Sequence, residues 1–212
     1  MTEIAIFGPS RLAGILLVAG LLIGLFALIL LIGSGAVSAF SASLQGALEQ
    51  VAPFAATYRW LILLWAVAWI VQLLGFGLLT YLLLRSGSEQ LVILAYTLIL
   101  VATIFGVLHA TFDMNVMLWA AQEAAQSGSI PELYEPLEAW IGNAFRMAYL
   151  VHLVGVAGFG WAILRAELLP PWVGWVASGW SVLWFAGGLI GVGAPGLLFI
   201  MPAVIGGALL RA

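Results

Sequence analysis

The chain of 212 residues has no cysteine and no lysine, and only 7% of it is formally charged, six arginines standing against nine acidic residues. The absence of cysteine excludes thiol chemistry, disulfides and iron–sulfur ligation. A formal charge of −3 with no lysine leaves no basic surface for a nucleic acid, so no nucleic-acid partner is expected. Low-complexity runs are missing too, which excludes an extended disordered chain. No repeat is apparent when the first three apolar segments are laid against the last three, and this weighs against the inverted duplication of many transporters.

What remains is apolar. At 65% apolar residues and a mean hydropathy of +1.20, the chain is far from the soluble norm of about half apolar and a quarter charged. The expectation is an all-α, multi-pass protein of the cell membrane, residues 1–212 forming one transmembrane domain whose first partner is the lipid bilayer. A spanning helix needs roughly 20 apolar residues, and candidates fall at about 12–33, 60–84, 90–112, 142–165, 172–192 and 196–210. Gly33-Ser34-Gly35, Arg85-Ser86-Gly87-Ser88, Pro170-Pro171 and Gly191 to Gly196 mark the breaks. The sixth segment is short enough to begin inside the preceding glycine-rich stretch. The first apolar run exceeds a signal-peptide core and is read as a span.

Arginine in short loops marks the cytoplasmic side. With the N-terminus inside, Arg11, Arg85, Arg165 and Arg211 fall at cytoplasmic ends and Arg59 alone at an outer one. Both termini are therefore expected in the cytoplasm, with two long outer connections, 34–58 and 113–141. Leu44, Ala47, Leu48 and Val51 have helical spacing, which predicts an amphipathic surface helix. Pro131 and Pro136 are expected to bracket a second, acidic element.

Ionisable residues inside spans are costly and are candidate sites by default. His109 and Asp113 are one turn apart on the third span, and Arg146 lies at a similar depth on the fourth. They are expected to form a polar cluster near the outer surface, through an Asp113–Arg146 ion pair with His109 beside it. His109 and His152 are the two histidines, one on each of two spans, and invite a haem b reading. Counted from the inner ends, however, they are offset by roughly 8 Å. A metal would need a third ligand beyond His109 and Asp113. Glu123 and His152 are the nearest candidates, and no ligand-spacing motif supports either, so no metal is expected.

Ten tryptophans are a heavy load. Trp60, Trp172 and Trp175 lie at segment ends, the belt placement of a spanning bundle. Trp65 with Trp69, and Trp180 with Trp184, are i, i+4 pairs suited to an aromatic ligand. Gly155, Gly158, Gly160, Gly174, Gly179, Gly187 and Gly188 predict close packing among the last three spans. Gly33-Ser34-Gly35 has the small-residue setting of a serine nucleophile but no histidine to serve it, and reads as a helix terminator.

The pattern Gly160-x4-Arg165-x3-Leu169-Pro170-x3-Gly174 resembles the join between late helices in a bacterial family of six-helix integral membrane proteins with no assigned activity. The resemblance covers the fourth to sixth spans. It implies the six-helix fold and leaves mechanism open, and His152 stands about one turn further from Gly160 than the family's pattern leads one to expect. The sequence thus points to a non-catalytic membrane protein, an interaction subunit of a larger complex or homo-oligomer, or a binder of a small apolar ligand. Two alternatives stand beside it: haem b electron transfer through His109 and His152, and a small transporter or channel gated at Asp113 and Arg146.

Overall fold

A computed structural model describes residues 8–33, 43–85, 89–190 and 195–212. Every regular element among them is helical: α1 (Pro9–Gly33), α2 (Leu44–Val51), α3 (Ala55–Leu84), α4 (Glu89–Phe112), α5 (Leu118–Ser127), α6 (Tyr134–Ala166), α7 (Pro171–Leu189) and α8 (Ile200–Leu209). A 3-10 turn, Ala52–Phe54, joins α2 to α3, and a π turn, Asp113–Met117, joins α4 to α5. Four helical stretches are long and apolar enough to cross a membrane: Pro9–Gly33, Leu44–Leu84, Glu89–Ser127 and Tyr134–Ala166. α7 has 19 residues, but four of them are tryptophan and four glycine, which dilutes its hydropathy. α8 has 10 residues, about 15 Å of helix.

The long helices run up and down. Gly75 of α3 lies on Leu17 of α1, Gly155 of α6 on Ile99 of α4, Gly160 on Gly174 of α7, and Gly206 of α8 on Gly14 of α1. These contacts pair the start of one helix with the end of the next. The bundle therefore has a near end, which holds Pro9, Leu84, Glu89, Ala166, Pro171 and Leu209, and a far end, which holds α2, α5 and the turn between α5 and α6. α3 packs on α1 and α4, α6 on α4 and α7, and α8 chiefly on α1.

In the near half the core is mainly aliphatic and glycine-stitched: Leu17, Leu79, Leu83, Val92, Ile99, Ile163, Val173 and Ile205 form one buried cluster with the stacked rings of Phe76 and Phe159. Cβ atoms at Gly160 and Gly174 would meet backbone at 2.8 and 2.5 Å, so neither position accepts a side chain without parting α6 from α7. The expected three-way glycine packing of the last spans holds for α6 and α7. The sixth segment instead takes its close approach from the first helix, where Gly14 and Gly206 face one another.

Four boundaries differ from expectation. The connection 34–58 is helical over most of its described part, because Ser43 caps α2 through its hydroxyl, which accepts from the Gly46 N–H at 3.2 Å. α2 is amphipathic as expected: Ala47, Leu48 and Val51 are buried, and Gln45 and Glu49 are exposed. Pro136 falls in the first turn of α6, where a missing N–H costs nothing, so the acidic residues open that helix and form no separate element. At its other end α6 stops because Glu167 turns left-handed at φ 51°, ahead of the prolines. The sixth segment enters as a 3-10 run, Pro195–Phe199, and becomes α-helical only at Ile200. The expected breaks at Ser34, Gly35, Ser86–Ser88 and Gly191–Ala194 lie outside the described residues.

Candidate functional site

The far half gathers the polar side chains. α4 leaves α-geometry at Asp113, whose residue is 8% exposed. A π turn opens one extra residue in the helical ladder, a distortion that recurs at functional sites. His109 Nδ1 lies 3.4 Å from Asp113 Oδ2, one turn back on the same helix. The imidazole packs on Phe145 of α6, ring centroids 4.4 Å apart. Tyr58, Tyr134 and Glu138 are the other titratable groups sharing Asp113's electrostatic environment. The Tyr58 hydroxyl donates to Met117 Sδ at 3.3 Å, and Tyr134 stacks on Phe112 at 6.2 Å. α2 and α5 roof this nest through Leu48, Ala120 and Ala121, packed with Tyr134 and Ile141.

Arg146 does not join Asp113. Its Nη2 donates to Gly188 O at 3.0 Å and Leu189 O at 3.1 Å, capping the C-terminal carbonyls of α7. The reason is angular. α6 lies between α4 and α7, Phe145 meets α4, and the next residue points about 100° away, towards α7. The expected trio is therefore split: His109 and Asp113 together, Arg146 on another face. Among the described residues His109 is the one basic side chain within 4 Å of the Asp113 carboxyl oxygens.

The two histidines stand at different depths. Phe145 is level with His109, and His152 lies seven residues further along α6, about 10 Å deeper. His152 is buried against Trp69 and Phe76, ring centroids 5.3 and 6.3 Å apart, and it faces the Leu198 main chain without hydrogen-bond geometry at either ring nitrogen. The two rings do not flank a common plane, the arrangement a bis-histidine haem requires. Of the tryptophan pairs, Trp65 and Trp69 both make T-shaped contacts with Phe199, at 5.0 and 5.6 Å. Trp180 and Trp184 touch each other at 5.7 Å, tilted by 55°. Glu123 is exposed on α5.

At the far rim an open surface depression of about 470 Å³ is lined by Ala55, Ala56, Arg59, Trp60, Leu118 and Gln122. Leu118 also packs in the cluster around Tyr58, so depression and nest share a wall. Sequence reasoning missed Tyr58, Tyr134 and Glu138 as neighbours of Asp113, because the π turn and the roof that bring them together leave no periodic signal. It also passed over Gln72, although a lone amide inside an apolar run of α3 was visible. Compared with known proteins, the chain matches no family model, no curated sequence and no solved structure.

Proposed function

We propose that this is a six-span protein of the cell membrane with both termini cytoplasmic, non-catalytic, which binds a small, largely apolar molecule bearing a basic nitrogen in the nest around Asp113. The near end is then the cytoplasmic one, where Arg11, Arg85, Arg165 and Arg211 cluster, and the nest faces outward. The resemblance to the six-helix bacterial family supports the same span count. The observation that carries the binding assignment is a buried carboxyl group with no arginine on it, in the electrostatic neighbourhood of Tyr58 and Tyr134 and next to the stacked pair Phe112 and Tyr134. Such a group favours a cation, and aromatic faces add cation–π attraction while holding the apolar body. Haem between His109 and His152 is disfavoured by their difference in depth, and a gate at Asp113 and Arg146 by the attachment of Arg146 to α7.

The test is thermal unfolding in mild detergent with hydrophobic amines and their neutral alcohol counterparts. A bound amine at about 100 times its Kd stabilises by about 2.7 kcal/mol. An amine that raises the unfolding temperature while its alcohol does not supports the assignment. Equal stabilisation by both, or by neither across the series, contradicts it.

A further inference from the structure

Below the nest, the bundle carries a second set of polar groups that the proposed ligand does not touch. Gln72, His152 and Ser181 are each 1% exposed and Thr103 is 4% exposed. Gln72 Oε1, Thr103 Oγ1, both ring nitrogens of His152 and Ser181 Oγ have no hydrogen-bond partner among protein groups, nor does Trp69 Nε1. They come from α3, α4, α6 and α7, and the interhelical contacts put them on one level. Trp69 lies on Gly106, so Gln72, three residues along α3, is level with Thr103 of the antiparallel α4. Gly155 lies on Ile99, so His152 is level with Ala102 and Thr103. Ser178 donates to Ala157 O at 3.3 Å, which brings Ser181 within about one turn of His152. The same level is where the sixth segment changes from 3-10 to α-helix, and Gln72 Nε2 reaches Phe199 O there at 3.5 Å.

Orphaned polar atoms scattered through a core are expensive, and a protein of this size holds few of them. Ten buried polar atoms are orphaned among the described residues, those of Thr80, Tyr149, Trp180 and Trp184 lying outside this set, and what singles out Gln72, Thr103, His152 and Ser181 is their common level beside an irregular backbone segment and the rings of Trp69, Phe76 and Phe199. All of them are neutral, and an imidazole, two hydroxyls and an amide oxygen together both donate and accept. Such a lining does not select an ion. It fits the smallest ligand that donates and accepts at once, and water in protein interiors sits where two to four polar partners meet.

We propose that the layer of Gln72, Thr103, His152 and Ser181 is an internal water-binding site, a hydrated seam at mid-depth that joins α3, α4, α6, α7 and the start of α8. It is separate from the Asp113 nest and stands or falls without it.

Radiolytic hydroxyl-radical footprinting of the intact protein in lipid nanodiscs tests this, because radicals generated from bound water oxidise the side chains beside it. Trp69 and His152 are expected to label at a rate within about tenfold of the exposed Trp60, despite their burial. Labelling of Trp60 with none at Trp69 and His152 overturns the proposal. A second readout uses Thr103→Val, which keeps the shape and removes the hydroxyl. In a hydrated seam it lowers the unfolding temperature and reduces labelling at His152. In a dry layer it removes an orphan and raises the unfolding temperature, and that result also overturns the proposal.

Discussion

The two ends of this bundle solve different problems with the same four long helices. In the near half, glycines at 14, 75, 155, 160, 174 and 206 let backbones and aliphatic side chains meet with almost no polar chemistry. In the far half, α4 breaks into a π turn, two short helices make a roof, and Asp113, His109, Tyr58 and Tyr134 share one enclosure. Close packing tolerates no added atom, whereas the far half keeps its polar groups by building walls around them. The near half has the close packing of a scaffold, and the far half holds the polar groups on which the proposed binding rests.

The contrast between the halves fails most completely if the two ends are not on opposite sides of a membrane. The cysteine-free chain allows single-cysteine labelling directly. With an impermeant maleimide on intact cells, Ser129→Cys is expected to label fully, and Ala212→Cys only after permeabilisation. The reverse pattern would invert the orientation, and labelling of both would break the six-span topology.

Next in size is Gly174→Leu, which forces a branched side chain against the Gly160 carbonyl. A loss of about 3 kcal/mol, or of folded protein altogether, is expected in thermal unfolding. Gly142→Leu at the far end, where a Cβ meets only Glu138 Oε1 at 4.0 Å, is the control expected to leave the unfolding temperature nearly unchanged. Similar damage at both positions would erase the difference between the halves.

Arg146→Gln removes two charge-assisted hydrogen bonds from a partly exposed site, so about 1 kcal/mol is expected, with faster hydrogen exchange at the C-terminal end of α7. Unchanged exchange there would show that the cap is dispensable. The smallest effect is a gain. Gly179 faces open space, and Gly179→Ala is expected to stabilise by about 0.5 kcal/mol through helix propensity, whereas Gly174→Ala loses stability.

Much of the architecture was legible because it rests on composition and punctuation. The apolar runs gave the four long helices, and Pro170-Pro171, read as a break, stands at the start of α7. The spacing of Leu44, Ala47, Leu48 and Val51 foretold α2, but an amphipathic face says only that something covers it, and here α5 does so. The site was half legible. Spacing of i, i+4 joins His109 to Asp113, whereas depth alone could not decide the partner of Arg146, since two residues can be level and yet point to different neighbours. Tyr58, Tyr134 and Glu138 arrive from other helices through the π turn and the roof, which no local pattern encodes.

The most direct measurement is the amine-induced rise in unfolding temperature, taken side by side in the wild-type protein, Asp113→Asn and Arg146→Gln, with folding of each checked by circular dichroism. The shift is expected to vanish in Asp113→Asn and to persist in Arg146→Gln. A shift that survives in Asp113→Asn, or that disappears in Arg146→Gln, would contradict the assignment of the far-half carboxylate as the ligand's partner.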